Sequence, residues 1–282
     1  MVITVAIAAA EVAGGLISGS LVLLADAAHM TADAAGVGLS LLAVFMAARP
    51  ATGRRTFGYA RTEILAAMAN ALLLLAMTTV IIGEGIRRLS GPPEVGPGIM
   101  IIFGVAALAG NGMSLALLHH GAAESLNVRG AFLEVASDTF GAAAVIVTGT
   151  VVATTGSVLA DPVASLTVAA LILPRTWRLL RDAVDVLLEA SPRSIDLTEV
   201  RAHMTALAGV QGVHDLHAWT ITSGLPVLSA HVVVDSAALA DGRSAAMLDA
   251  LQECLRGHFD VAHCTFQLEP ASHADHEPPV CR

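Results

Sequence analysis

Long apolar stretches constrain this chain more than any other feature of its sequence. A helix needs about 20 mostly apolar residues to cross the hydrocarbon core of a bilayer. Only 14% of the residues are charged, against about 25% in soluble proteins. The sequence therefore predicts a six-helix transmembrane bundle over residues 1–182 and excludes an ordinary soluble enzyme. The apolar stretches, separated by short polar or glycine-containing breaks, are 2–17, 21–46, 64–86, 97–118, 131–155 and 158–180.

The first apolar stretch, residues 2–17, is the shortest of the six, and no basic residue precedes it. Because a secretory signal peptide begins with a basic segment, we interpret this stretch as a membrane span and not as a cleaved leader. Its length leads us to expect a truncated span, with either a natural start further upstream or a late start at Met1.

The placement of arginine predicts the orientation of the bundle, since cytoplasmic loops are enriched in basic residues. Nine arginines follow the second, fourth and sixth stretches, whereas the opposite side carries only Arg87 and Arg88. We therefore expect a multi-pass protein of the inner cell membrane with both termini in the cytoplasm. The nine are Arg49, Arg54, Arg55, Arg61, Arg129, Arg175, Arg178, Arg181 and Arg193.

The remaining residues have the pattern of a small cytosolic α+β domain at 183–270. A helix is predicted from Asp196, its N-cap, to residue 208, and the second helix at 244–259. Strands are predicted at 214–222, 227–235 and 262–269. This αββαβ order is typical of a split α/β sandwich. We expect residues 271–282 to form a flexible tail with His and Cys. The net acidity of the chain argues against nucleic acid as a partner.

Ionisable residues inside the apolar stretches are the strongest functional signal, because each one is costly in hydrocarbon. His29 and Asp33 lie one helical turn apart in the second stretch, and Glu134 and Asp138 do so in the fifth. If the two helix faces meet, one imidazole and three carboxylates converge. Such a set suits a tetrahedral Zn²⁺, and it also has affinity for Co²⁺, Fe²⁺ or Mn²⁺.

Other polar residues in these stretches have simpler interpretations. Asp26 shares a helix face with His29, but it lies near the end of its span and is as readily an interfacial residue as a ligand. We interpret Glu11, Asn70 and Asn111 as residues that hydrogen-bond between helices.

Four motifs, in order along the chain, resemble those of the cation diffusion facilitator family of metal transporters, and most closely its bacterial zinc-exporter branch. The resemblance implies a homodimer that exchanges cytosolic Zn²⁺ for protons, and a cytosolic ferredoxin-like domain. The motifs are Ser18-Gly19-Ser20-Leu21 with Leu24-Ala25-Asp26-Ala27-Ala28-His29, Phe57-Gly58-Tyr59-Ala60-Arg61-Thr62-Glu63, Leu126-Asn127-Val128-Arg129-Gly130-Ala131, and Val213-His214-Asp215-Leu216-His217-Ala218-Trp219.

The resemblance also implies which residues hold metal in the membrane. His29 and Asp33 match the first HxxxD pair of the family, but Glu134 stands where the zinc branch has histidine in the second pair, which Asp138 completes. The extra carboxylate is a harder ligand and weakens the expectation of strict zinc selectivity. Arg54 and Arg55 occupy a loop in which some members carry another metal site, so we expect that site to be absent.

In the cytosolic domain the resemblance implies a second, regulatory Zn²⁺ site formed by His214, His231, His263 and Glu269. His217 is as readily a hydrogen-bonded core residue as a ligand, and Cys281 is the best accessory ligand in the tail, ahead of His273 and His276. We do not expect three other residues to bind metal. His203 and His258 are interpreted as solvated histidines, and Cys254 as a small buried apolar residue.

Two other functional classes compete with export. A membrane-anchored metal sensor without transport would keep the ligands of the tail domain but would not need carboxylates in the membrane. An intramembrane metalloenzyme would need a HExxH-like pair and a general base, which the sequence does not contain. There is also no nucleotide-binding motif, so we expect neither an enzyme nor an ATP-driven pump. Protons and divalent metal ions would compete for the same carboxylates and imidazole.

Overall fold

The computed structural model describes residues 2–119, 126–236, 239, 242–259 and 261–274. Its first part consists of apolar helices, five of which are long and apolar enough to cross a membrane, while the first is shorter. The six helices confirm the predicted helical membrane part. They are α1 (Val2–Ser18), α2 (Leu21–Ala47), α3 (Thr62–Ser90), α4 (Pro97–His119), α5 (Leu126–Thr155) and α6 (Ala160–Leu187).

The chain divides into two compact units, each with its own internal packing. The first contains Met1–Ala43 and Ala66–Arg181, and so holds most of the apolar helices. The second contains Val44–Leu65 and Asp182–Arg282. The loop between α2 and α3 therefore packs with the C-terminal domain.

Close approach between helices in the first unit depends on small residues. Met30 of α2 and Ala142 of α5 are completely buried in one apolar cluster. At Gly141 of α5 the Asp26 carboxylate of α2 occupies the space that a side chain would need, and at Gly104 of α4 the side chain of Ile146 does so. Small residues are common where membrane helices pack, because they let the backbones come together.

The start of α2 is held by a buried carboxylate from α6. Asp161 is completely buried and accepts hydrogen bonds from the Ser20 hydroxyl at 2.6 Å, the Leu21 amide at 2.7 Å and the Val22 amide at 3.2 Å. Arg88 lies 3.7 Å from the same carboxylate. The first amides of a helix lack intrahelical partners and favour negative charge, so Asp161 fixes where α2 begins.

The C-terminal domain has the αββαβ order that the sequence predicts, and the boundaries agree to within about four residues. Asp196 caps the first helix, as predicted, by accepting hydrogen bonds from the Thr198 and Glu199 amides, which hold the pKa of its carboxyl below the usual range. The elements are α7 (Leu197–Thr205), β1 (Val210–Thr220), β2 (Pro226–Val234), α8 (Ser244–His258), β3 (His263–Pro270) and a final turn, α9 (Ala271–Ala274).

The three strands form one sheet in the order β1-β2-β3, in which β1 and β2 are antiparallel and β2 and β3 are parallel. Alternate residues of β2, such as Leu228 and Val232, are completely buried in a core shared with Met204 of α7 and Leu255 of α8. Because strand side chains alternate between faces, the intervening residue His231 points to the other face of the sheet. The polar residues of β2 therefore lie on the face of the sheet away from the helices.

Candidate metal centres

The first centre lies in the membrane part, where α2 meets α5. One ligand atom each from His29, Asp33 and Asp138 lies within 4.8 Å of the others. His29 Nε2 is 3.5 Å from Asp33 Oδ2, and these two side chains retain only 12% and 14% exposure. The structure thus brings together three of the four residues that the sequence selects.

Several atoms of this centre are buried without a hydrogen bond. His29 Nδ1, Asp33 Oδ2 and Asp138 Oδ1 have no hydrogen-bond partner among the residues that the structure describes. Leaving a buried polar atom unsatisfied costs about 1–3 kcal/mol, and more for a charged group. An arrangement that concentrates this cost at one point is suited to a ligand that supplies the missing partner, such as a divalent cation or protons.

Glu134 is not part of this close group, but it faces the same space. It lines a cavity of about 300 Å³ together with Asp33 and Asp138. Apolar residues such as Ile3 of α1 and Leu117 of α4 line much of the rest. Glu134 therefore faces the same cavity as Asp33 and Asp138, although it lies outside the close group.

Two further acids lie close to the first centre. Asp26 is only 3% exposed, and its Oδ2 has no hydrogen-bond partner among the described residues. Glu11 is 1% exposed, and neither of its carboxylate oxygens has such a partner. When one of these two acids is protonated, Glu11 of α1 and Asp26 of α2 can hydrogen-bond to each other, which agrees with the interhelical role that the sequence suggested for Glu11.

The second centre lies on the open face of the sheet in the C-terminal domain. His214 of β1 and His231 of β2 are directly paired across the strands, with ring centroids 5.1 Å apart. Glu269 of β3, only 2% exposed, contacts His214 Nε2 through Oε1, and its Oε2 lies 3.8 Å from His231 Nδ1. Three of the four residues that the resemblance implies for this domain are thus brought together.

Neighbouring side chains favour the ionised form of Glu269. Burial alone would raise the pKa of this carboxyl, but hydrogen bonds from His214 and Gln267, together with the nearby His231, hold it below its ordinary value. A buried carboxylate that stays ionised beside two imidazoles is a suitable ligand set for Zn²⁺.

Asp215 is a candidate ligand that sequence reasoning did not select. It lies in an irregularity of β1 where the pairing shifts between His214 and His217, and its φ is 43°. Such a bulge adds one residue and redirects a side chain, and here an Asp215 oxygen joins the group formed by His214 and His231. The only sequence signal was an aspartate, which tolerates a left-handed backbone better than most residues.

The other ligands expected in this domain lie in different places. His217 pairs with Ser229 on β2, next to the cluster. His263 begins β3, six residues before Glu269, so about 20 Å of extended strand separates them, and its ring lies 6.5 Å from the Phe57 ring. His273 Nε2 is 3.8 Å from Glu269 Oε2. Cys281 and His276 lie outside the described residues.

Comparison with known proteins places the two parts of the chain in one family. Residues 1–188 match the model of the cation efflux transmembrane domain, and residues 192–271 match that of the cation efflux cytoplasmic domain, which is named for dimerisation. The metal cation efflux system protein CzcD of Cupriavidus metallidurans is 41% identical over 94% of this chain and 84% of its own length.

Two other relatives and one solved structure are also similar. The zinc transporter ZitB of Escherichia coli K12 is 41% identical over 92% of this chain and 82% of its own. A cadmium, cobalt and zinc/H(+)-K(+) antiporter of Bacillus velezensis is 37% identical over 96% of this chain and 87% of its own length. The metal-bound C-terminal domain of CzcD is 40% identical over 27% of this chain and 99% of its own, with a TM-score of 0.25. With both family models and full-length relatives in agreement, this chain belongs to the cation diffusion facilitator family of metal transporters.

Proposed function

We propose that this protein exports divalent cations from the cytosol in exchange for protons, with Zn²⁺ as its main cargo. His29, Asp33 and Asp138 would hold the ion, and Glu134 would complete or tune the site. The observation that supports this most directly is the group of buried, unsatisfied oxygen and nitrogen atoms around one point between α2 and α5.

Exchange follows from the chemistry of these side chains. A metal ion binds ionised carboxylates and neutral imidazole, so protons and metal compete for the same atoms. In the hydrocarbon part of a membrane a bare cluster of carboxylates is costly, whereas a cluster loaded with either a divalent cation or protons carries little net charge. The site would therefore move across the membrane in one of these loaded forms, as an antiporter requires.

The cavity beside the site suggests where the ion enters. Its lining comes from the start of α1, the second half of α2, the end of α4 and the start of α5. These helix ends adjoin the loops after the second and fourth spans, which we expect to be cytoplasmic because arginine is concentrated on that side of the bundle. We propose that the structure represents an inward-open form and that rocking of the helices around a fixed site gives alternating access.

Cargo selectivity is proposed to be broader than for zinc alone. Three carboxylates and one imidazole discriminate weakly among divalent ions, since oxygen ligands also suit harder metals. Co²⁺, Cd²⁺, Fe²⁺ and Mn²⁺ are therefore alternative cargoes. Of the three relatives described above, one is named for metal cations, one for zinc, and one for cadmium, cobalt and zinc.

The C-terminal cluster is proposed to be a regulatory Zn²⁺ site that couples cytosolic metal to transport in a homodimer. His214, His231 and Glu269 would bind the ion, with Asp215 or His273 as a further ligand. We expect His231→Ala to lower the number of zinc ions bound per chain by one, as measured by equilibrium dialysis of the purified full-length protein. An unchanged number in this variant would contradict the assignment.

The export proposal is tested in proteoliposomes that contain a zinc indicator and a pH indicator. We expect zinc uptake that accelerates when the lumen is made more acidic than the outside, accompanied by protons leaving the lumen. Zinc uptake without proton movement would contradict exchange. Zinc binding to the protein without any uptake would support the alternative, a membrane-anchored sensor.

A further inference from the structure

A third group of metal-binding side chains lies on the helical side of the C-terminal domain, apart from both centres described above. His203 is on α7, and Cys254 and His258 are on α8. One ligand atom of each lies within 4.8 Å of the others. The sequence suggested two solvated histidines and a buried apolar cysteine, but the fold brings all three together.

The local geometry of the group is that of a preformed chelate. Cys254 and His258 are four residues apart and therefore share one face of α8. His203 reaches them from α7, which packs on the same core, and its ring centroid is 4.5 Å from that of His258. Phe259 lies at the edge of the group, 5.4 Å from the His203 ring. The two helices therefore hold the ligands in place through packing that exists without metal.

The hydrogen bonding of His258 favours metal binding. Its Nδ1 lies 2.9 Å from the backbone carbonyl of Cys254. A carbonyl oxygen only accepts, so Nδ1 must carry the hydrogen, and in the neutral ring Nε2 keeps its lone pair. Metal-binding histidines almost always have their other nitrogen held in this way.

The donor set indicates which ions would bind. One thiolate and two imidazoles favour borderline or soft cations, above all Zn²⁺. The sheet-face cluster, built from imidazole and carboxylate, contains no thiol among its described members. A carboxylate oxygen of Glu199 lies 3.9 Å from His203 Nε2, where it could orient that ring or accept a bond from a fourth ligand such as water.

We propose that His203, Cys254 and His258 form a Zn²⁺ site that links α7 to α8. The site faces solvent, since His258 is exposed and the other two residues are half-buried, so cytosolic zinc has access to it. Because zinc would bind only the folded form, a rising zinc concentration would stabilise this domain. The role is separate from transport and does not require the site between α2 and α5.

Cobalt reports directly on thiolate ligation in the full-length protein in detergent. With Co²⁺ we expect a thiolate-to-metal charge-transfer absorption that is lost in Cys254→Ser. All proteins in this comparison carry Cys281→Ser, which removes the accessory ligand expected in the tail. Cys264→Ser serves as the matched control and should retain the absorption. An absorption that survives in Cys254→Ser, or that disappears in Cys264→Ser, would overturn the proposal.

Protection of Cys254 from alkylation tests whether the histidines bind the metal, and it does not depend on an absorption band. Zinc at ten times its dissociation constant should slow maleimide labelling of Cys254 about tenfold, as read by mass spectrometry of its peptide. In His203→Gln, whose metal-free melting temperature should match that of the parent, this protection should be largely lost. The Cys264 peptide provides an internal control. Equal labelling of Cys254 with and without zinc in the parent protein would mean that the histidines and Phe259 form only an aromatic cluster.

Discussion

Two buried aspartates in the membrane part of this protein have opposite surroundings. Asp161 is completely buried, accepts three hydrogen bonds at the start of α2 and lies 3.7 Å from Arg88. Asp138 is 4% exposed, and its Oδ1 has no hydrogen-bond partner among the described residues. The two acids are therefore alike in burial but differ in the hydrogen bonding of their oxygens.

The difference has a physical cause. A buried carboxylate with full hydrogen bonding and a nearby cation stabilises the fold, and removing it leaves its partners unpaired. A buried carboxylate without partners costs stability in the metal-free protein. That cost is tolerated at functional sites, because the same atoms remain available to bind a ligand.

The largest effect on stability is expected at the satisfied acid. Asp161→Asn removes the negative charge with which Arg88 and the hydrogen-bond donors of Ser20, Leu21 and Val22 interact. We therefore expect a loss of about 3 kcal/mol in the free energy of unfolding. Asp138→Asn is the matched control and should not lower stability. Thermal unfolding of both variants in detergent measures this. Equal destabilisation by the two changes would remove the distinction between the two acids.

A smaller effect is expected where α2 and α5 approach each other. Gly141→Ala would place a methyl group in the space of the Asp26 carboxylate. Such overpacking costs about 1–3 kcal/mol, and the separation of the helices should lower the rate of zinc transport. Gly112→Ala on α4, where the added group meets nothing, is the control. Wild-type transport by Gly141→Ala would show that the spacing of the two helices is not critical.

The smallest of these effects concerns metal choice. Glu134→His replaces a hard carboxylate with an imidazole, so the ratio of zinc to manganese transport should rise by about fivefold, equivalent to roughly 1 kcal/mol. Competition assays in proteoliposomes measure this ratio. The same change to glutamine controls for the loss of charge alone. Identical selectivity in all three proteins would contradict a role for Glu134 in metal choice.

Much of the fold could be predicted from the sequence because its determinants are local. Apolar length predicts the helices that fit a membrane, and alternation with turn residues predicts the αββαβ order. His29 with Asp33, and Glu134 with Asp138, were found because one-turn spacing puts each pair on one face. Their meeting across α2 and α5 depends on tertiary packing, which leaves Glu134 outside the close group.

The features that sequence reasoning missed are all non-local. Asp161 meets the start of α2 from a position about 140 residues later in the chain. Asp215 becomes a candidate ligand only because β1 bulges there. His203 joins Cys254 and His258 only because α7 and α8 pack on one face of the sheet. Periodicity within a segment carries no information on such encounters between segments.

The most direct test of this account compares zinc uptake by Asp138→Asn and Asp161→Asn in proteoliposomes, normalised to correctly folded protein. We predict that Asp138→Asn is folded but takes up zinc at less than about a tenth of the wild-type rate, since it loses an essential ligand. Asp161→Asn should be less stable, yet each folded molecule should transport at close to the wild-type rate. Wild-type uptake by Asp138→Asn would contradict the proposal that the unsatisfied buried carboxylates form the transport site.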